Sequence, residues 1–104
     1  MFQSVSCPKM SPWGPVEDRK EVAPGIWWVS TPSHGGLYVS ARRLRAMPVE
    51  FTVSNDFYGY TSKCGMQWFE EDYEFYRVVM SFPELFERPT REHARTIYQS
   101  RKVA

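Results

Sequence analysis

The chain has 104 residues and a formal net charge of +1, which suits one domain with one hydrophobic core. This near-balance of charge excludes a strong general attraction to nucleic acid or to an anionic membrane. No apolar run approaches the roughly 20 residues that cross a bilayer, and the N-terminus lacks the basic and apolar segments of a signal peptide. We therefore expect a single cytoplasmic domain over residues 1–104, without membrane contact.

Residues 1–24 are rich in proline and predict an extended arm within the domain, with Trp13 packed on the core. The charged residues 17–21 predict a solvated turn or the edge of a strand. A turn at Pro24 and Gly25 ends this arm.

Two strands follow the arm. Residues 26–31 are aromatic and β-branched, which favours a strand, and residues 37–39 predict the strand that returns beside it. The turn at 32–36 contains His34 and two glycines. These segments together predict an antiparallel hairpin.

A short helix is predicted over residues 41–47, with Ser40 as its N-cap and Pro48 at its end. On this helix Leu44 and Met47 face inward. Arg42, Arg43 and Arg45 are expected to point mostly outward. The next segment, 51–53, is a candidate for a third strand.

The most informative segment is residues 65–83, which has three acidic residues near its start and is then almost wholly apolar and aromatic, and which predicts a helix over 69–82. Apolar side chains recur there at helical spacing, which predicts a mostly buried central helix with one wet face made of Glu70, Glu74, Arg77 and Ser81. A last helix is predicted over 91–102, capped by Thr90. The predicted fold is α+β: an antiparallel sheet of about three strands, packed against the central aromatic helix and flanked by a short helix and a C-terminal helix.

The two cysteines, Cys7 and Cys64, match no metal or redox spacing, and we interpret them as reduced thiols. A catalytic Cys64 would have only Lys63 as a nearby helper. Cys7 and His34 are too few for a structural zinc site, which usually takes four ligands. We therefore expect neither a metal nor another cofactor.

Several short motifs occur in a fixed order: SPWG at 11–14, PG at 24–25, SHGG at 33–36, Arg43 with Met47 and Pro48, WFEED at 68–72, and FPELF at 82–86. In this combination, the chain resembles a small domain family of unknown function found in proteobacterial genomes, plasmids and prophages. The resemblance covers about residues 11–86 and brings no established catalytic residues. It implies a mobile-element setting, where proteins of this size often inhibit a host defence complex, as anti-CRISPR proteins do.

The first functional hypothesis follows from this setting: a non-enzymatic protein that binds and inhibits a host defence complex in the host-cell cytoplasm. Aromatic side chains are enriched at interface hot spots, and carboxylates contact basic residues of a partner. The predicted partner-binding residues are Phe57, Tyr58, Tyr60, Glu70 and Glu74. The alternative for the aromatic loop is that Phe57 and one of its tyrosines fold back onto the core.

The second hypothesis is a small hydrolase-like enzyme, or a metal-dependent hydrolase, centred on His34 with Glu71 and Asp72. His34 lies in a turn with two glycines, and a carboxylate from Glu71 or Asp72 beside it would form an acid–base pair. His93, the other histidine, is expected to be solvated. A capping role near a helix N-terminus is the alternative for the two carboxylates.

The third hypothesis is a nucleic-acid-binding module. It would use two groups of basic residues if they merged on one face, although charged outer faces of helices are more often simply solvated. The groups are Arg42, Arg43, Arg45 and Arg88, Arg91, Arg95, Arg101, Lys102. A homodimer through an unpaired strand edge at 26–31 is a further open alternative.

Overall fold

The computed structural model describes residues 2–52, 67–72 and 74–103, with 101–103 described by their backbone alone. The described elements are strands β1 (Met10–Ser11), β2 (Gly14–Pro15), β3 (Asp18–Ala23), β4 (Ile26–Ser30) and β5 (Gly35–Val39), helix α1 (Ala41–Ala46), a 3₁₀ turn (Val49–Phe51), strand β6 (Trp68–Glu70), helix α2 (Tyr76–Ser81), a second 3₁₀ turn (Pro83–Leu85) and helix α3 (Arg88–Val103). Strands β3, β4, β5 and β6 form one antiparallel sheet in that order, and β1 pairs with β2 separately. The α+β class is confirmed, with four strands in the main sheet instead of about three.

The central hairpin is the part of the fold that the sequence predicts best. Its pairing runs from Ile26 opposite Val39 to Ser30 opposite Gly35. Aromatic and β-branched side chains fit a pleated, half-buried surface, which is why this stretch is extended. The predicted hairpin is confirmed, and its second strand begins at Gly35 instead of Leu37.

One face of the sheet packs against the helices. Successive side chains of a strand point to opposite faces, so Ile26, Leu37 and Phe69 reach the same face, where they are fully buried. Val78 of α2 and Ala94 of α3 are fully buried in the same cluster. The main core therefore lies between the sheet and these two helices.

The N-terminal arm covers the other face. Trp13 is only 9% exposed, and its ring meets Trp68 nearly edge-on with centroids 5.7 Å apart. Val29 belongs to the same buried cluster, and the indole N–H of Trp27 donates to Val5 O at 2.8 Å. The prediction that Trp13 packs the arm on the core is confirmed.

Among the described strands, β3 and β6 are the edge strands of the sheet, whereas the homodimer hypothesis had assumed that β4 is one. β4 pairs with β3 on one side and with β5 on the other. Asp18, Arg19, Lys20 and Glu21 are exposed along the edge, which confirms the prediction of a charged strand edge. Such charges discourage pairing with another sheet edge.

A single helix over 69–82 is wrong. Residues Trp68–Glu70 form β6, and α2 begins only at Tyr76. The strand adds to the free edge of β5, where Leu37 lies opposite Phe69 and both side chains are fully buried. Because aromatic residues suit strands as well as helices, pairing at the open edge outweighs helical periodicity over these residues.

Helix α1 agrees with the prediction. The Ser40 hydroxyl accepts a hydrogen bond from the Arg43 N–H at 3.2 Å, which is the expected N-cap, and the helix ends at Ala46. Met47 is buried and Leu44 is half-buried, as predicted.

Two other boundaries were wrong. Of the strand predicted at 51–53, Phe51 ends the 3₁₀ turn Val49–Phe51 and Thr52 follows it, while residue 53 lies outside the described residues. Helix α3 begins at Arg88, so Thr90 lies inside it and does not cap it. Pro89 is compatible with this earlier start, because the first helical turn has N–H groups without intrahelical acceptors. None of the described helices is long and apolar enough to cross a membrane.

Candidate functional site

An imidazole and two carboxylates meet where β5 begins and β6 ends. His34 Nδ1 lies 3.5 Å from Glu70 Oε2, and ligand atoms of His34, Glu70 and Asp72 all lie within 4.8 Å of one another. The His34 side chain is 47% exposed and that of Glu70 is 22% exposed. The cluster is thus open to solvent, while one of its carboxylates is partly shielded.

Backbone hydrogen bonds position the members of this cluster. The N–H and hydroxyl of Thr31 donate to His34 O at 2.7 and 2.8 Å, and the His34 N–H donates back to Thr31 Oγ1 at 3.1 Å. Across the sheet, Glu70 is the partner of Gly36, two residues after His34. Strand pairing therefore selects Glu70 as the carboxylate nearest to the imidazole.

The two glycines of the SHGG motif allow this close approach. A Cβ on Gly36 would lie 2.7 Å from Trp13 Cη2 and still closer to Phe69 O. A Cβ on Gly35 would lie 3.1 Å from Glu71 Oε2, and the Glu71 N–H donates to Gly35 O at 2.9 Å. Only residues without side chains let the acidic segment and the tryptophan ring approach β5 so closely.

The electrostatic environment of Glu70 is dominated by burial and by like charge. Burial is the largest cause that raises the pKa of Glu70, and Asp72 raises it further. His34 acts in the opposite direction, whereas Glu71 adds to the increase. Among the described residues, three consecutive carboxylates and one imidazole thus lie at this end of the sheet.

Beside the cluster lies an open groove of about 400 Å³ between the sheet and the start of α3. We call it the aromatic groove. Six of the residues that line it are Trp28, Glu71, Asp72, Phe75, Thr90 and His93.

Aromatic rings and carboxylates occur side by side in the aromatic groove. The Trp28 and Phe75 ring centroids are 6.4 Å apart, and His93 stacks on Phe75 at 5.4 Å. Glu71 and Asp72 are exposed next to these rings. Because aromatic faces and carboxylates both attract positive charge, the groove suits a cationic side chain.

The motifs behind the family resemblance meet at two places. The first is the end of the sheet where β5 begins and β6 ends. Trp13 of SPWG packs over Gly36 of SHGG and against Trp68 of WFEED. His34 and Glu70, from the second and third of these motifs, form the contact at 3.5 Å.

The second meeting point surrounds a buried arginine. Arg43 is 6% exposed, its Nε donates to Pro24 O at 2.9 Å, and its guanidinium carbon lies 3.8 and 4.9 Å from the ring centres of Phe2 and Phe82. A Cβ on Gly25 would lie 2.8 Å from Arg43 Cγ. This arrangement is structural, because it lies inside the fold.

A family profile described as a domain of unknown function (DUF7007) matches residues 6–102. The chain belongs to the DUF7007 family. The match confirms the expectation of a domain of unknown function. No curated protein and no solved structure matches the chain.

The predicted partner-binding surface of this DUF7007 domain is only partly within the described residues. Phe57, Tyr58 and Tyr60 lie outside them, so their role stays a prediction. Glu70 is half-buried and faces His34.

Glu74 corrects the predicted wet face. It is 2% exposed, and its Oε1 accepts a hydrogen bond from Arg77 Nε at 2.6 Å in a buried ion pair. The prediction of an exposed carboxylate failed because helical phasing was applied from residue 69, whereas α2 begins at Tyr76. A partner cannot reach Glu74 in this conformation.

The structure brings His34 and Asp72 together, as the enzyme hypothesis requires, and it adds Glu70 to them. Glu71 approaches Gly35 and lines the aromatic groove instead. His93 is exposed, as predicted, but its ring also stacks on an aromatic neighbour.

The groove itself was missed, although one signal was present. Alternation along residues 26–30 places Trp28 on the same face as the buried Ile26, toward the helices. Phe75 could not be assigned to the groove, because the helix predicted over 69–82 gave it a different neighbourhood.

The basic residues form a weaker surface than the nucleic-acid hypothesis needs. Arg43 was expected to point outward but is buried. Arg88 Nε donates to Glu92 at 3.0 Å, and an Arg91 guanidinium N–H donates to Phe86 O at 2.6 Å. The arginines that remain exposed among the described side chains of the two groups are Arg42, Arg45, Arg88 and Arg95. Arg101 and Lys102 are described by their backbone alone.

Proposed function

We propose that this DUF7007 domain is a non-enzymatic binding protein that inhibits a host defence complex by protein–protein contact, as anti-CRISPR proteins do. One observation carries the proposal: the aromatic groove places Trp28 and Phe75 beside the exposed carboxylates of Glu71 and Asp72. The proposal includes an origin in proteobacterial prophages or plasmids and action in the host-cell cytoplasm.

The groove chemistry favours an arginine of the partner over other side chains. A planar guanidinium stacks on an indole face, and it also donates two parallel N–H hydrogen bonds to the oxygens of a carboxylate. A cation–π contact contributes about 0.5–1 kcal/mol at an exposed site and about 2 kcal/mol when it is desolvated. Trp28 supplies the indole, and Glu71 and Asp72 supply the carboxylates.

This chemistry explains how binding would inhibit a defence complex that handles nucleic acid. Such complexes hold the phosphate backbone with arginine and lysine side chains. An inhibitor that takes up one of these arginines removes a phosphate contact and blocks the surface around it. The predicted loop residues Phe57, Tyr58 and Tyr60 would extend the contact beyond the groove.

The test is phage plating on a bacterial strain with active CRISPR immunity, with the protein expressed in the cells. Wild-type protein should raise the plating efficiency of a targeted phage. The double variant Glu71→Lys/Asp72→Lys should lose this effect. The matched control Glu17→Lys/Glu84→Lys changes the net charge equally at exposed positions away from the groove, and it should keep the effect.

Equal protection by both double variants would remove the groove from the proposal. No protection by wild-type protein, across strains that carry different defence systems, would contradict inhibition of host defence. Circular dichroism of each purified variant would establish that it is folded.

One observation favours the hydrolase alternative as a second candidate. The His34 imidazole lies 3.5 Å from a Glu70 carboxylate oxygen, and such a carboxylate orients the ring of a general base. Hydrolysis of p-nitrophenyl acetate or phosphate that is lost in His34→Ala but retained in His93→Ala would support this candidate. Equal residual rates in both variants would contradict it.

A further inference from the structure

His34, Glu70 and Asp72 bring one imidazole nitrogen and two carboxylate groups to a single point at the sheet edge. We propose that these three side chains bind a divalent transition-metal ion, with Zn²⁺ as the best-fitting ion. The sequence predicts a metal only within the hydrolase alternative, on His34 with Glu71 or Asp72, and Glu70 is not counted there as a ligand. The site goes beyond the proposed function and does not depend on a partner.

The distances fit coordination of one ion. Zinc ligands lie about 2.0–2.2 Å from the metal, so two ligands of a tetrahedral ion lie roughly 3.4 Å apart. His34 Nδ1 and Glu70 Oε2 are 3.5 Å apart. All the ligand atoms of the cluster lie within 4.8 Å of one another. Rotation of the exposed His34 and Asp72 side chains can shorten the longer separations to the spacing of zinc ligands.

The backbone around the cluster is fixed from both sides. The His34 backbone is bonded to Thr31 through three hydrogen bonds. Glu70 pairs with Gly36 in the sheet, and its carbonyl accepts the N–H of Phe75 at 2.8 Å across the turn that carries Asp72. Because the backbone at these positions is already ordered, binding the ion costs mainly the freedom of the ligand side chains.

The local charge also favours a cation. The charged groups that act on Glu70 among the described residues are Asp72, His34 and Glu71, so carboxylates outnumber the single imidazole. A mixed nitrogen and oxygen donor set suits zinc, and three protein ligands leave a fourth position open to water or to a side chain of another molecule.

The test is isothermal titration of ZnCl₂ into the full chain, with any affinity tag removed and with Cys7→Ser and Cys64→Ser introduced so that thiols cannot bind the ion. We expect one ion per chain. His34→Ala, Glu70→Gln and Asp72→Asn should each weaken binding by at least about tenfold.

Two matched controls separate a defined site from a diffuse acidic surface. Glu71→Gln removes a neighbouring carboxylate outside the cluster, and His93→Ala removes the other histidine. Both should stay within about threefold of the parent affinity, because neither residue belongs to the cluster and surface substitutions away from a site have small effects. Cobalt substitution should give visible absorption that disappears in His34→Ala.

Absence of zinc binding at millimolar ion, or an equal loss of affinity in Glu71→Gln and Glu70→Gln, would overturn the metal site. These outcomes are distinguishable from failure of the proposed function. Asp72 belongs to both the metal cluster and the aromatic groove, whereas Glu70 belongs to the cluster alone and Glu71 lines the groove alone. A protein that loses zinc through Glu70→Gln should therefore still respond to an arginine probe.

Discussion

Replacing Gly36 with alanine should destabilise the domain strongly, although alanine restricts the unfolded chain more than glycine does. The new Cβ would lie 2.7 Å from Trp13 Cη2 and 3.0 Å from Glu70 Cα, where ordinary carbon contacts are about 3.5–4.0 Å. It would come closer still to Phe69 O, which is backbone and cannot rotate away. We expect a loss of about 2–3 kcal/mol, after subtracting the stabilisation that alanine gives by restricting the unfolded chain.

The assay is urea unfolding followed by tryptophan fluorescence and circular dichroism. The expected loss corresponds to a fall in Tm of roughly 10–20 °C for a domain of this size. Ser33→Ala, at an exposed neighbouring position, should change stability by less than about 0.5 kcal/mol. In a Trp13→Leu background the cost of Gly36→Ala should shrink but persist, because the contact with the Phe69 carbonyl remains. Gly36→Ala within about 0.5 kcal/mol of wild type would refute the reasoning.

Three further predictions concern buried or half-buried polar groups. Glu74→Gln should lower the free energy of unfolding in urea by about 3–5 kcal/mol, because it leaves the Arg77 charge buried without its carboxylate. The double variant Glu74→Leu/Arg77→Met should be more stable than Glu74→Leu or Arg77→Met alone. Additive losses of the two single variants would contradict this. Arg43→Lys keeps the charge but should lower the free energy of unfolding by about 1–2 kcal/mol in the same assay, because lysine loses the planar stacking and the Nε hydrogen bond. A stability equal to wild type would show that only the charge matters at this position. Burial raises the pKa of the Cys7 thiol, so less reactive thiolate is present at pH 8; in a Cys64→Ser background, iodoacetamide should modify the native protein more slowly than the urea-unfolded one, and equal rates would argue against a shifted thiol.

The hairpin and α1 could be predicted because their signals are local. Residues 26–31 carry a strand pattern that their neighbours do not contradict, and a serine followed by a short apolar stripe and a proline defines a capped helix. In both cases the tertiary structure buries the residues that the local pattern marks as apolar.

The segment after residue 67 could not be predicted in the same way. Its aromatic residues satisfy a helical period, yet Trp68–Glu70 gains strand pairing at the open edge of β5, a contact about thirty residues away in sequence. The same long-range contact explains why Glu70, and neither Glu71 nor Asp72, lies closest to His34.

Whether a charged side chain is buried depends on contacts in the folded structure that helical periodicity alone does not predict. Arg43 is covered by Phe2 and Phe82, which come from opposite ends of the chain. Glu74 is buried because Arg77 lies beside it to neutralise its charge. A local pattern assigns such charges to the surface, since unpaired burial would be very costly.

The most direct test of the aromatic groove as a cation-binding site is an NMR titration of ¹⁵N-labelled protein with a capped Gly-Arg-Gly peptide. The matched probe replaces arginine with citrulline, which keeps the shape and removes the charge. We predict that the arginine peptide shifts the Trp28 indole N–H resonance in a saturable manner, that citrulline does so far less, and that Glu71→Lys/Asp72→Lys abolishes the shift. An unmoved Trp28 resonance, or equal responses to the two peptides, would contradict the account.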